Sequence, residues 1–364
     1  MSVTLKTILG SMIAVALVFG FFHHLVPDSS YDFGRLHIFF FNLGAGGCIL
    51  LYFARHMRGR PVLLYAWLAL SSAYALTAYF ELYEVTIALS VPLFVLVEAT
   101  RIRRFSLFPF VFFRRDSVSD KFLHAALLCL SCGLVISSFV ILNNEFLHWF
   151  YRPKLTIDVF FLGFSFPLSL LTFSVMFNFM RQSKSRSIAV FEEFSFWSVT
   201  LGVIVFFVFI IFEQLIVEII TACTLLVSVC LIYWLFIRYS RPVQQRFFLI
   251  SGMAFLLSTG LTGVFYLLDY VFPGLSQIHG YVLTLHATVA LYGWNLSGLL
   301  IIIRWTDFPI TRHVPCIIAL HWLAVLVLTP AGKYEAIVAF FAMAAYLALL
   351  RFILYGRGRL REAQ

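Results

Sequence analysis

The sequence predicts an all-α integral membrane protein that crosses the bilayer about twelve times. Of its 364 residues, 62% are hydrophobic and only 12% are charged, and the mean hydropathy is +0.96. Soluble domains are about half apolar and about a quarter charged. Apolar runs of about 20 residues, the length that crosses a bilayer, recur throughout the chain. We therefore expect a single transmembrane domain over residues 1–364, with no soluble domain and no nucleotide-binding fingerprint.

Twelve apolar runs are candidates for the membrane spans. The first has no small-residue cleavage site after it, so we interpret it as a retained helix and not as a signal peptide. The predicted spans are residues 5–26, 34–54, 62–80, 83–98, 121–142, 157–180, 195–212, 216–237, 247–268, 277–303, 314–329 and 335–354.

The positions of the basic residues predict that both termini are cytoplasmic. With that orientation, only Arg35, Arg152, Lys154 and Lys333 of the 26 Lys and Arg residues fall outside. An excess of basic residues in cytoplasmic loops is the usual signal of orientation in a cell's inner (cytoplasmic) membrane. The net charge of +9 thus reflects topology and contact with the lipid bilayer, and we expect no nucleic-acid partner.

The longest predicted cytoplasmic loop covers residues 99–120. It contains the stretch RIRRFSLFPFVFFRRDSVSD, in which aromatic residues lie between arginine clusters. This composition indicates a segment that lies on the membrane surface. A simple connector would have the same composition, so both interpretations stay open.

The cysteines do not predict a disulfide framework, because all six lie inside or at the edge of apolar runs. Cys129 and Cys132 share one helix face, but no nearby His or Cys completes a zinc site with them.

Six of the ten histidines are predicted in the outer half of the membrane or at its outer surface. Histidines at membrane depth usually face the interior of the helix bundle and mark functional sites. The six are His23, His24, His37, His148, His279 and His286.

The second and tenth spans carry the most informative pattern. On each, a histidine precedes a glycine of the same helix face by seven residues, as His37 precedes Gly44 and His286 precedes Gly293. An imidazole can bind a metal, and a bare glycine leaves room for a flat macrocycle. The pattern is therefore that of a haem held between two helices by neutral histidine ligands. Ordinary close packing of helices uses small residues in the same way.

His279 is a second candidate on the tenth span. It lies seven residues before His286, about 10 Å along a helix, so the two cannot be the axial ligands of one iron. Its depth in the membrane favours His279 as the partner of His37, whereas the glycine pattern favours His286.

The stretches FGRLHIFFFNLGAGGCILLYF and HATVALYGWNLSGLLIII resemble the second and tenth helices of the haem-copper oxidase subunit I superfamily. The similarity is greatest to its cbb-type oxidase, nitric-oxide-reductase and NnrS-like members. The detailed similarity covers about 40 residues. Over the rest of the chain, the similarity is in the topology of the twelve spans. It implies a low-spin haem b near the outer face, with His37 and either His279 or His286 as the metal ligands.

The sequence departs from this family in ways that limit the resemblance. Its tenth-span histidines are seven residues apart instead of two, and the predicted spans 157–180 and 195–212 contain no histidine for a copper site. We therefore expect no copper, and the function implied is electron transfer or haem- or nitric-oxide-linked respiration. Any enzymatic activity would be that of an oxidoreductase or of a component of one.

Charged residues on the outer side complete this hypothesis. Under the resemblance, Arg35 pairs with a haem propionate; the alternative is a salt bridge to Asp28 or Asp32. The acidic outer surface fits a positively charged periplasmic or membrane electron-transfer partner. Glu218, one turn into its span, is the best candidate for a buried acid on a proton path.

Two other classes of function remain open. One is a cofactor-free twelve-helix transporter whose polar and histidine residues line a substrate path. The other is a structural or assembly subunit of a membrane complex that has lost its cofactor. No repeat between the two halves of the chain is evident in the sequence to favour the transporter.

Overall fold

The structure, a computed structural model, describes residues 1–26, 32–57, 61–114, 116–150, 152–181, 185–272, 279–309 and 314–356. Within these ranges the chain is helical and forms no β-strand; a single isolated bridge joins Met180 to Ser240. Twelve helices among the described residues are long and apolar enough to cross a membrane, which confirms the predicted all-α fold and agrees with the predicted number of spans.

We number these helices α1 to α12 in chain order. Their bounds are Val3–Phe22, Phe33–Ala54, Val62–Tyr79, Tyr83–Arg104, Val118–Leu147, Lys154–Phe179, Arg186–Ile211, Leu215–Tyr239, Arg246–Asp269, His279–Ile303, Pro315–Gly332 and Ala336–Tyr355. The side of the membrane on which α1 begins is called the N-terminal face, and the other side the opposite face.

Three helices form the centre of the bundle. In their most apolar stretches, 89% of α2, 72% of α6 and 78% of α10 is buried, against 17–50% of the other nine helices. The three pack against one another, and the other nine surround them. Because every fourth helix is central, the bundle consists of three successive four-helix groups.

Each central helix is locally widened into π-helical turns. These turns cover Phe39–Gly46 in α2, Val159–Ser165 in α6 and Val289–Asn295 in α10. A π-helical turn displaces backbone carbonyls from the regular hydrogen-bond ladder and is often found at functional sites. One such carbonyl, that of Tyr292, accepts a hydrogen bond from His321 Nε2 at 2.7 Å.

The helices extend further into the polar regions than the apolar runs predict. The sequence places the end of the fourth span at residue 98 and the start of the seventh at 195, whereas α4 ends at Arg104 and α7 begins at Arg186. Salt bridges allow the helices to continue past charged residues. Arg101 Nη2 lies 2.6 Å from Glu98 Oε2, and Lys121 Nζ lies 2.7 Å from Glu193 Oε1.

The loop predicted over residues 99–120 is consequently shorter, since only residues 105–117 lie between α4 and α5. Lys121 Nζ donates to the carbonyl of Phe112 at 3.0 Å, and the Phe112 ring packs on His124 and Phe196. Half of the segment is thus folded against the helices. Leu107, Phe108, Phe110 and Phe113 remain exposed.

Candidate functional site

The histidine face of α10 packs against α9, the helix that precedes it. His279 and His286 form hydrogen bonds with Asp269 and with the Thr259 carbonyl. Gly293 packs against the ring of Phe255. The sequence correctly places these α10 residues on one face by the helical period. The partner of that face is α9, however, and not α2 as the haem hypothesis requires.

A His–Asp pair lies at the end of this interface nearest the opposite face. His279 Nδ1 is 2.5 Å from Asp269 Oδ2, and the rings of Tyr266 and Tyr270 pack around the imidazole at centroid distances of 4.6 and 5.7 Å. The second carboxylate oxygen, Asp269 Oδ1, is buried and has no hydrogen-bond partner among the described residues. The pair can therefore accept a further proton or a polar ligand.

A second carboxylate lies near this pair on α8. The side chain of Glu218 is buried, with 7% of the residue exposed, and interacts electrostatically with Tyr266 on α9. Lys154 and Glu213 form a salt bridge of 3.3 Å on the same side of the membrane. Both also interact electrostatically with Glu218. The sequence-based choice of Glu218 as a buried acid agrees with its burial.

His286 lies about two helical turns deeper than His279. Its Nδ1 is 3.0 Å from the carbonyl oxygen of Thr259 and 3.3 Å from Thr262 Oγ1. Because a carbonyl only accepts, Nδ1 carries the proton of the neutral ring, which leaves Nε2 as the basic nitrogen. Gly263 makes this contact possible, since a Cβ there would lie 3.1 Å from His286 Cε1.

A cavity of about 230 Å³ borders His286 between two of the central helices and three outer helices. It lies between α6, α7, α8, α9 and α10, and most of its wall is apolar. Its polar groups are those of Ser165, Ser169, Thr259 and His286. Asn295 orients the two serines, since Ser169 Oγ donates to Asn295 Oδ1 at 2.8 Å and Asn295 Nδ2 donates to Ser165 Oγ at 3.1 Å. We call this cavity the central chamber.

His37 is buried and is held by protein groups at both ring nitrogens. Its Nδ1 donates to the carbonyl oxygen of Ala16 on α1 at 2.7 Å, and its Nε2 lies 3.2 Å from the hydroxyl of Tyr292 on α10. Tyr292 donates this second bond, because the proton of the neutral imidazole is on Nδ1. The residue of α10 that faces His37 is therefore a tyrosine and not a histidine.

The two glycines predicted to lie under a macrocycle accommodate protein side chains. A Cβ at Gly44 would lie 2.8 Å from Met12 Sδ, and one at Gly293 would lie 2.4 Å from Phe255 Cγ. Both positions thus permit close packing, of α2 on α1 and of α10 on α9. This was the alternative interpretation of the pattern.

Arg35 interacts with its own helix end and with α3. Its Nε is 2.9 Å from Asp32 Oδ2, and its Nη1 donates to the Ala78 carbonyl at 3.2 Å. Asp32 also caps α2, because its side chain accepts from the Arg35 backbone N–H. Asp28, the other carboxylate considered for Arg35, lies outside the described residues.

The residues present do not fit a haem held between α2 and α10. His37 and His286 turn toward α1 and α9, and Tyr292, Met12 and Phe255 fill the contacts that the macrocycle would make. One feature agrees with metal ligation, because an Nδ1 bond to a carbonyl or carboxylate commonly orients a ligating histidine. Among the described residues, no three His, Cys, Asp or Glu side chains converge as metal ligands.

His37 and His286 occupy equivalent places in two of the four-helix groups. Each donates its Nδ1 proton to a carbonyl of the preceding helix, and each ring lies on a glycine four residues further along that helix, Gly20 or Gly263. The sequence contains this repeat, but a comparison of the two halves of the chain does not reveal it. The repeating unit is a four-helix group, which is one third of the chain.

The remaining group keeps the glycines and has no histidine at this position. Gly133 of α5 lies four residues after Cys129, whose Sγ is 3.0 Å from the Leu162 carbonyl of α6. Thr156 precedes Gly163 of α6 by seven residues, as a histidine precedes the glycine in α2 and α10. The histidine sites are thus specific to the first and third groups.

Several residues of the site were not singled out in the sequence. Thr259, Thr262 and Tyr266 repeat at helical spacing on α9 and lead to Asp269. That spacing indicates a polar helix face and could have identified these residues from the sequence. The contribution of Ser165 from α6 could not be found without the tertiary structure.

Comparison with known proteins gives no family model that matches this chain and no similar curated protein or solved structure.

Proposed function

We propose that this chain is a cofactor-free membrane transport protein that moves protons across the membrane by way of the central chamber, which the protons enter from the opposite face and which also binds a small amphipathic solute. The observation that carries the proposal is the series of proton-binding groups between α9 and α10. It runs from Asp269 and His279 to His286 at the chamber wall. We call these groups and Thr259, Thr262 and Tyr266 the polar strip.

The chemistry of the strip suits proton transfer. Chains of Asp, Glu and His inside membrane proteins typically serve as proton relays. The carboxylate of Asp269 is hydrogen-bonded to His279 Nδ1, and Glu218 places a second carboxyl group beside Tyr266. His279 and His286 are about 10 Å apart along α10, so proton transfer between them requires bridging water molecules.

The chamber has the composition of a small-molecule site. Such sites are mostly apolar and contain a few convergent polar groups that orient the ligand. Here Ser165, Ser169 and His286 supply those groups within walls of Phe, Leu and Val. A volume of about 230 Å³ suits a molecule of a few heavy atoms with one or two hydrogen-bonding groups.

Proton movement in sealed vesicles tests the proposal. In liposomes that contain the purified protein and an internal pH-sensitive dye, a potassium diffusion potential is expected to drive proton uptake faster than in protein-free liposomes. Asp269→Asn and His286→Ala are each expected to lower the initial rate about a hundredfold or to background, because a positioned proton-transfer group contributes at least that factor.

His148→Asn is the matched control. His148 is an exposed histidine on the opposite face with φ 51°, a backbone conformation that Asn adopts readily, and it lies outside the polar strip. Its rate is expected to equal that of the unmodified protein. If folded Asp269→Asn and His286→Ala proteins move protons at the unmodified rate, the polar strip is not the path and the proposal fails.

Haem binding is the competing hypothesis, favoured by the Nδ1 bonds of His37 and His286. The absorption spectrum separates the two hypotheses. Protein purified from haem-replete cells is expected to show no Soret band, because Tyr292 occupies the position facing His37 Nε2. A Soret band that disappears in His37→Ala would reject the cofactor-free proposal and establish His37 as an iron ligand.

A further inference from the structure

A long groove lies between α5, α6 and α7 and adjoins the central chamber, with which it shares Phe166 and Phe207 as wall residues. Its volume is about 550 Å³. It is lined along α6 from Leu155 to Leu170 and along α7 from Phe196 to Ile211, a length of about 22 Å at 1.5 Å per residue. Half of the hydrocarbon core of a bilayer is about 15 Å thick, so the groove extends beyond the midplane of the membrane.

The two ends of the groove differ in composition. The end nearest the N-terminal face is aromatic and is formed by Phe112, Phe113, Phe196 and Trp197. Toward the opposite face the lining is mainly aliphatic. The groove therefore offers a compartment for a planar ring at one end and a channel for a hydrocarbon chain at the other.

One hydroxyl at the aromatic end has no partner. Thr200 lines the groove one turn above Phe196, is 8% exposed, and its Oγ1 is buried without a hydrogen bond among the described residues. Threonines elsewhere in the helices bond the carbonyl four residues earlier, as Thr172 and Thr221 do at 2.9 and 2.7 Å. A buried hydroxyl left unsatisfied is costly, so a ligand that accepts from Thr200 would be stabilised.

The aromatic end is closed toward the membrane surface by the segment between α4 and α5. Its turn at Phe110–Phe113 is anchored by Lys121, which donates to the Phe112 carbonyl and pairs with Glu193. A phospholipid does not suit this arrangement, because its charged headgroup must stay at the surface and its chains end near the midplane. A lipid with a small uncharged ring and a longer tail does suit it.

We propose that this groove binds an isoprenoid quinone. The quinone ring lies among Phe112, Phe196 and Trp197. One ring carbonyl accepts a hydrogen bond from the Thr200 hydroxyl, and the isoprenoid chain follows the aliphatic lining toward the opposite face. The site is independent of the polar strip and holds whether or not the protein transports protons.

Quenching of tryptophan fluorescence by decylubiquinone, titrated into the purified protein in detergent, tests this site. Quenching is expected to saturate, and Trp197→Phe is expected to remove part of its amplitude, because Trp197 lines the groove. Thr200→Val, which keeps the shape and removes the hydroxyl, is expected to weaken binding about fivefold, as the loss of one hydrogen bond would. Ile204→Trp, which fills the groove, is expected to weaken it more than tenfold.

Thr224→Val is the matched control, since the Thr224 hydroxyl is exposed on α8 and already bonds the Ile220 carbonyl. Its affinity for the quinone is expected to be that of the unmodified protein. The proposal is overturned if quenching does not saturate, or if Thr200→Val and Thr224→Val bind equally well. It is also overturned if mass spectrometry of the purified protein finds a phospholipid that decylubiquinone does not displace and that Ile204→Trp releases.

Discussion

Replacing Arg304 with methionine is expected to lower the free energy of unfolding by about 3 kcal/mol, because several backbone carbonyl groups lose the donor that satisfies them. Arg304 is 2% exposed. Its guanidinium donates to the carbonyls of Ile353, Leu354 and Gly356 at 2.7–3.0 Å, and to the side chain and carbonyl of Asp307. The last carbonyls of α12 have no partner within the helix, so the substitution leaves them unsatisfied, whereas the Asp307 side chain is 36% exposed and can be hydrated.

Equilibrium unfolding by SDS from a mild detergent measures this loss. Arg351→Met on the same helix is the control, because Arg351 is exposed, and it is expected to change stability by less than about 0.5 kcal/mol. Equal stabilities of the two variants would show that the Arg304 contacts do not hold α12 to α10.

Replacing Gly133 with alanine is expected to destabilise the bundle by about 3 kcal/mol, at the upper end of the cost of overpacking. A Cβ on Gly133 would lie 2.5 Å from both the Cα and the carbonyl oxygen of Gly163. These are backbone atoms of α6, so no side-chain rotation relieves the clash. The two helices must separate, and the contacts between α5 and the central helix weaken.

Gly280→Ala is the control, because a Cβ there would have no atom of the described residues within 4 Å. Its midpoint of thermal unfolding is expected to be unchanged or slightly raised, since alanine favours a helix more than glycine does. The midpoint of thermal unfolding of Gly133→Ala is expected to be clearly lower than that of Gly280→Ala and that of the unmodified protein. A Gly133→Ala protein as stable as Gly280→Ala would mean that α5 and α6 do not approach as closely as described.

The spans were predictable because the length of an apolar run is a one-dimensional property. All twelve runs correspond to helices. The errors lie at the ends, as at Arg104 and Arg186, where charged residues continue a helix. A hydropathy pattern stops at a charge, whereas a helix continues where that charge finds a partner, as Arg101 does in Glu98.

The pattern that suggested a haem lies on two of the three central helices. It pointed to the second and tenth spans through glycine and histidine, and α2 and α10 are the most buried helices of the bundle. It did not identify α6, which has the same glycine and no histidine. A search for repeats in thirds would have aligned Gly44, Gly163 and Gly293.

The candidate site was predictable only in part. Helical periodicity placed His279, His286 and Gly293 on one face, and the structure agrees. Periodicity does not say which neighbour a face meets. In a membrane the surrounding lipid is as apolar as the side chains, so no amphipathic pattern points a face toward its partner.

By itself, the sequence determined the number of membrane helices, their approximate ends and the residues that share each helix face, because these follow from run length and the helical period. Only the tertiary structure decided that His286 faces α9, that Tyr292 faces His37 and that Thr200 opens into a groove. Those contacts join residues distant in the chain, and their geometry depends on how side chains of different sizes fill the space between helices.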